Sequence, residues 1–175
     1  IISRNNSVDY VVGPQNIQVI PNLLKKKSFE KVHIDFLSEE KCNSLTLSKS
    51  NKTSSMITVQ EGCDKFCSFC VVPYTRGAEF SRPVEDIYAE TKDVVEKGSS
   101  EVTLLGQNVS SYQSSIFKDK ERKVQLGDLC KIISKIPQLK RIRYLTSHPN
   151  DIDDNLINEH AKNEKDRKST SELQS

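Results

Sequence analysis

At 175 residues, 35% hydrophobic and 29% charged, the chain has room for one ordinary globular domain or for pieces of two. It holds no apolar run of about 18 residues and no charged-then-apolar leader, so neither a membrane span nor an export signal is expected. Lysine plus arginine is 26 against 24 for aspartate plus glutamate; a net charge of +2 gives no electrostatic argument for nucleic acid.

In chain order, VDYVVG (8–13) is a β-branched apolar run closed by Gly13-Pro14, which reads as a buried strand ending in a turn. NIQVIPNLLKKK follows as a short helix with Pro21 in its first turn, and Lys25, Lys26 and Lys27 read as its solvated end. Together they form one β-α unit, too small to fold alone. The serine-rich polar stretch 38–55 reads as a linker, with Cys42 in it as a spare thiol.

After the linker a strand-helix pattern repeats. MITVQ (56–60) is a strand, followed by a cysteine loop. SRPVEDIYAETKDVVEKG (81–98) is a helix with Pro83 in its first turn, Glu85 and Asp86 suiting its dipole, and Gly98 as its stop. Val84, Ile87, Tyr88, Thr91, Val94 and Val95 share one face at helical spacing. EVTLLGQN (101–108) is a second strand. LGDLCKIISKIP (126–137) is a second helix with Leu126, Leu129, Cys130, Ile133 and Ile136 on its apolar face, so Cys130 is expected in a core. RIRYLTS (141–147) is a third strand and DIDDNLINEHA (151–161) begins a third helix. This alternation predicts an α/β fold with a parallel sheet and right-handed crossovers. The boundaries are 1–37, 38–55, 56–161 and a disordered polar tail over 162–175. A first residue that is isoleucine, with Met56 the sole methionine, suggests a fragment or altered ends.

Ligands in parallel α/β units collect at the carboxyl ends of the strands. The cysteine loop, GQN (106–108) and SHP (147–149) each follow one strand and are expected on one side of the sheet. Cys63, Cys67 and Cys70 fall within eight residues, and a total of five cysteines argues for a metal site in a reducing compartment over a disulfide scaffold. A closed zinc site needs a fourth ligand, here Cys42, Cys130, His33 or His148, of which His148 is the geometrically open choice. A ferredoxin-type cluster also takes four thiolates. Three thiolates on a four-iron cluster leave one iron open to a substrate.

CDKFCSFC (63–70) has the C-x₃-C-x-(aromatic)-C form of radical S-adenosylmethionine enzymes. With EGCDKFCSFCVVPYTRG, SRP, LLGQN and RYLTSHP in order, the chain resembles the tRNA methylthiotransferases over roughly residues 3–160. The resemblance implies an incomplete radical-SAM-type (β/α) barrel of about three β-α units over 56–161, preceded over 1–37 by the last β-α unit of an amino-terminal methylthiotransferase domain. It implies a [4Fe–4S] cluster on Cys63, Cys67 and Cys70, with S-adenosyl-L-methionine chelating the fourth iron. Phe69 takes the aromatic place beside the adenine or packs under the loop, Gly106 and Gln107 match the segment passing the methionine end, and Arg76 faces the cofactor carboxylate or a substrate phosphate. His148 is left as a strand-end residue.

The implied reaction is one-electron cleavage of the sulfonium and hydrogen abstraction, placing a methylthio group on C2 of a modified adenosine beside the anticodon. VVPYTRG (71–77) leans towards the branch acting on N6-dimethylallyladenosine. The implied partners are a tRNA anticodon loop, an electron donor, no membrane, and the missing parts of the enzyme on another chain; the implied compartment is the cytoplasm. A half barrel is expected to expose a sheet edge and an apolar face. The competing readings are a non-catalytic remnant of a split gene and a small zinc module.

Overall fold

The computed structural model describes residues 2–25, 30–34, 53–116 and 119–165. Cys42, Lys26, Lys27, most of the linker and the tail beyond 165 lie outside the described residues. The opening unit has two short parallel strands, β1 (Val11–Val12) and β2 (Val32–His33), around a 3₁₀ stretch at Pro14–Val19 and helix α1 (Ile20–Lys25). Pro21 stands in the first turn of α1, as expected, where its missing N–H has no partner to lose. The predicted strand over 8–13 shortens to two paired residues that are half-buried, not buried; among the described residues they pair with another two-residue strand.

The main body is a three-stranded parallel sheet in the order β3 (Ser54–Thr58), then β6 (Glu101–Leu105), then β9 (Arg141–Tyr144). The chain between them forms β4 (Gln60–Glu61), helix α2 (Val72–Arg76), β5 (Phe80–Ser81) and helix α3 (Val84–Glu96). Between β6 and β9 lie the hairpin β7 (Gln113–Ile116) and β8 (Asp119–Gln125) and helix α4 (Leu126–Ile133); helix α5 (Asp154–Lys162) comes last. Each sheet strand is thus followed by a helix, and the predicted parallel α/β alternation is present.

Register explains which side is covered. Ile57 pairs with Leu104, which pairs with Tyr144, and Val102 pairs with Ile142. Side chains at alternate positions share a face, so these residues form the buried layer, closed by Ile87 and Val94 of α3 and by Leu129, Cys130 and Ile133 of α4. Cys130 has no exposed surface and is a core residue, as its helix position predicts. The expected α3 face is buried except for Tyr88, which is 38% exposed at the edge of the stripe. Pro83 stands just ahead of α3 as its N-cap with extended backbone, and Gly98 ends the helix region at φ 106°. Arg82 and Glu90 form a largely buried ion pair at 2.7 Å, and Arg82 also donates to the Thr58 carbonyl.

The other face of the sheet corrects the expectation of an exposed apolar surface. Its positions are Ser54, Met56 and Thr58, then Glu101, Thr103 and Leu105, then Arg141 and Arg143. Glu101 accepts from Ser54 and Arg141 at 3.1 and 3.0 Å, and Arg143 Nε lies 3.8 Å from it. Only Met56 and Leu105 are apolar there, so water is a tolerable neighbour for most of that face. One sheet edge is also partly covered: the Ile142 N–H of β9 donates to the Lys165 carbonyl at 2.9 Å, and Lys165 Nζ donates to the Ser134 and Ile136 carbonyls. Among the described residues no helix is long and apolar enough to cross a membrane.

Candidate functional site

The strand ends do meet, and buried amides hold them together. Gln60, in β4, has no exposed surface. Its Oε1 accepts from the backbone N–H groups of Gln107 and Asn108 at 2.9 and 3.1 Å, and its Nε2 donates to the Gly62 carbonyl at 2.6 Å. Gln107 answers: its Oε1 accepts from the Gly62 N–H at 2.6 Å. The two amides form a reciprocal clasp between the entry of the cysteine loop and the end of β6. A buried polar side chain satisfied at both ends is a rigid joint, because any displacement leaves donors and acceptors unpaired.

Gly106 fits this joint. A Cβ there would lie 2.6 Å from Gln60 Oε1 and 3.0 Å from the Gln60 carbonyl oxygen. The close approach that glycine permits is made by Gln60, and the Gln107 amide is engaged with Gly62. We expect Gln60→Leu to cost about 3 kcal/mol, since it leaves two buried N–H groups and one carbonyl without partners. Urea unfolding with an unchanged m-value would register this as a shift in midpoint alone.

From the clasp the loop runs outward. The thiol of Cys63 is buried, Cys67 is exposed and Cys70 is half-buried. The Cys70 N–H donates to the Cys67 carbonyl at 2.9 Å in a tight turn, and the Cys63 N–H reaches the Gly77 carbonyl at 3.4 Å. Burial pushes the Cys63 thiol up; a hydrogen bond from the Lys65 backbone opposes this, and the charges of Glu79, Cys67 and Cys70 add to the rise. Among the described residues no group of three or more His, Cys, Asp and Glu side chains is already gathered as a metal cage. The chemistry of the donors is nonetheless uniform: three soft sulfurs on one loop, the set that suits an iron–sulfur cluster or zinc.

The remaining candidates divide. Phe69 is 93% exposed, so its ring face is open and it does not pack under the loop. Arg76 closes the last turn of α2, directly before Gly77. The ring of His148 accepts from the Asn150 N–H at 3.3 Å, and its backbone N–H donates to Asn108 Oδ1 at 2.9 Å. Of the alternative zinc ligands, Cys130 is in the core and the ring of His33 lies 3.1 Å from the Glu30 carbonyl.

Three residues around the loop, Gln60, Lys65 and Asp151, escape the sequence reading as site residues, and Asn108 enters it only as the end of GQN. Lys65 Nζ lies 2.6 Å from Asp151 Oδ1, and Asn108 Nδ2 donates to Asp151 Oδ2 at 2.6 Å. Burial alone would raise the Asp151 carboxyl, but hydrogen bonds from Lys65 and Asn108 bring it below its ordinary value. The same contact raises the Lys65 ammonium. Glu79 is raised by burial, against a short hydrogen bond from the Ser111 hydroxyl.

A parallel α/β sheet carries, after its first strand, a loop with three free thiols that is clasped to the end of the neighbouring strand. The family model of the radical SAM superfamily matches residues 57–168, and the chain belongs to that superfamily. Membership makes this an enzyme class whose cofactors are a [4Fe–4S] cluster and S-adenosylmethionine. Among curated relatives, tRNA-2-methylthio-N(6)-dimethylallyladenosine synthase of Orientia tsutsugamushi (strain Boryong) is 47% identical over 170 residues, covering 94% of this chain and 37% of that protein. The protein of the same name from Rickettsia felis is 49% identical over 165 residues, with 92% and 37% covered, and that from Rickettsia typhi is 48% identical over the same shares. The chain spans a little over a third of the length of these relatives.

Proposed function

We propose that the chain is the catalytic-core segment of a tRNA methylthiotransferase, acting on C2 of N6-dimethylallyladenosine beside the anticodon. The observation that carries this is the three-thiol loop at the carboxyl edge of a parallel sheet, in a chain about 47% identical over 170 residues to synthases of that name. Cys63, Cys67 and Cys70 would hold a [4Fe–4S] cluster, and the bound cluster with S-adenosylmethionine would supply one-electron chemistry at an unactivated C–H.

The protein's own residues would position these groups. The Gln60–Gln107 clasp holds Gly62, and through it Cys63, against the end of β6. Phe69 offers an exposed ring to a flat base such as adenine, and Arg76 offers a guanidinium for a carboxylate or phosphate at the loop exit. With Gln107 Oε1 taken by the Gly62 N–H, its contact with a cofactor would come from the Nε2 amide or from the backbone around Gly106. The polar sheet face carrying Thr103, Arg141 and Arg143 would line the interior of an incomplete barrel, with residues 1–37 the end of an amino-terminal domain. The linker expected over 38–55 would end short of β3, which takes Ser54 and Ser55. The tail expected over 162–175 would begin later, since Lys162 closes α5 and the Lys165 carbonyl accepts from Ile142 of β9. The tRNA would present its target in an unstacked anticodon loop. An external electron donor would complete the system.

Anaerobic iron–sulfide reconstitution followed by electron paramagnetic resonance of the reduced protein tests this. A cluster signal that shifts on adding S-adenosylmethionine is the expected result. A bound zinc with no cluster would overturn the reading in favour of a zinc module, and a cluster blind to S-adenosylmethionine would favour a non-catalytic remnant.

A further inference from the structure

The crown of the cysteine loop is held by a group from the far end of the sheet. Lys65 lies midway between Cys63 and Cys67, and its ammonium sits 2.6 Å from Asp151, 86 residues away, in the turn that follows β9. The carboxylate does not wait loosely. Its other oxygen takes the Asn108 amide at 2.6 Å, and Asn108 is itself buried. The Asn108 Oδ1 in turn accepts from Ser110 Oγ at 3.0 Å and the His148 N–H at 2.9 Å. Asp151 is therefore oriented by residues of the second and third strand ends, none of them in the loop, before Lys65 reaches it.

Backbone strain lies beside this contact. Phe66, the next residue, has φ 48°, a left-handed conformation that a residue with a bulky side chain rarely adopts. Its own side chain is 62% exposed and touches Tyr74 edge-on, so its packing supplies little of what holds that conformation. A tether on Lys65 supplies the restraint. An ordinary surface ion pair would not: two mobile, solvated side chains gain little from meeting. Here the side chains are 30% and 17% exposed and one partner is already fixed.

We infer that Asp151 is a positioning residue that latches the cysteine loop through Lys65 and sets the balance of charge beside the three thiols. The groups facing Lys65 are Asp151, Glu79 and Cys63, with Asp64 next to it in the chain and accepting from the Glu79 N–H at 3.3 Å. Lys65 is thus the cation set among these acids, and Asp151 is the acid it contacts.

The inference has two readouts, and only the second rests on the loop being a cluster seat. Hydrogen exchange of the loop amides in the apo chain reads the latch itself, through Gly62, Cys63 and Cys70, whose N–H groups are all bonded. Lys65→Gln and Asp151→Asn should each speed that exchange about fivefold, and the double variant no further, because either change opens the same contact. Unchanged exchange, or multiplied effects in the double variant, would overturn the latch. Circular dichroism checks that each variant keeps its fold, and Lys65→Gln, at a partly exposed position, is the safer of the two.

The reconstituted cluster gives the second readout. Cluster potentials follow nearby charge. Lys65→Gln leaves an unbalanced carboxylate and should lower the reduction potential; Asp151→Asn leaves an unbalanced ammonium and should raise it; the double variant should return near the parent. Two shifts of the same sign would mean that loosening alone, not charge, governs the site. A chain that takes up no cluster defeats the proposed function while hydrogen exchange still decides the latch.

Discussion

Replacing Cys63, Cys67 or Cys70 singly by alanine is expected to abolish stable cluster assembly, while Cys130→Ala assembles a cluster normally and loses only stability. The contrast follows from where the sulfurs are. Cys130 lies among Leu129, Ile133 and the buried sheet layer, with no exposed surface, and acts as a small apolar side chain whose truncation costs about 1–2 kcal/mol. The other three lie on one loop, with Cys63 buried, Cys70 half-buried and Cys67 exposed. On the proposed ligand set, loss of one thiolate would leave two for a cluster held by three. Iron and sulfide per chain, together with visible absorbance after anaerobic reconstitution, measure the outcome. Full assembly in any one of the three variants would remove that cysteine from the ligand set. Loss of assembly in Cys130→Ala with the fold intact would place the buried thiol in it.

The strands, helices and shared strand-end side were legible because each rests on a local signal. Val84, Ile87, Thr91, Val94 and Val95 repeat at helical spacing and are buried together. The β6 strand carries Val102, Leu104 and Leu105 and is followed directly by a glycine. The three thiols announce themselves by spacing. The hairpin of β7 and β8 carried no such signal: QSSI and DKERKVQ are largely polar and lack alternation, and the pairing is made between the strands themselves. Tyr88 obeys the helical period but falls at the edge of the stripe, where a phenol can reach water.

The clasp and the latch were illegible for a different reason. Gln60 reads as the polar end of a strand, and nothing local says that its amide will meet residues 107 and 108. Lys65 and Asp151 each read as solvated charges; only the parallel order β3-β6-β9 brings their loops to one side. The three candidate thiols are visible in the sequence, whereas the side chains that hold their loop depend on contacts more than 40 residues apart.

Gly62→Ala should be the most damaging change that removes no thiol, with a loss of about 4 kcal/mol. Gly62 adopts φ 76°, where an L-residue is strained by about 1–2 kcal/mol. Its missing Cβ would lie 2.2 Å from the Ala78 carbonyl oxygen and 2.5 Å from that of Gly77. Both are backbone atoms, so no flexible side chain can swing aside, and relief requires moving the loop exit or breaking the clasp. The clasp resists, since the Gly62 N–H and carbonyl are each bonded at 2.6 Å to Gln107 and Gln60. Gly98→Ala separates the two costs: it also has positive φ, at 106°, but nothing lies within 4 Å of its Cβ position, so only the conformational cost of about 1–2 kcal/mol applies. Urea unfolding of the two variants measures the difference. A larger loss in Gly62→Ala, with weakened cluster uptake, means that the seat of Cys63 is built by close backbone packing. Equal losses would mean that the loop yields to a methyl group, and that Cys63 is placed by the cofactor it binds and not by the fold beneath it.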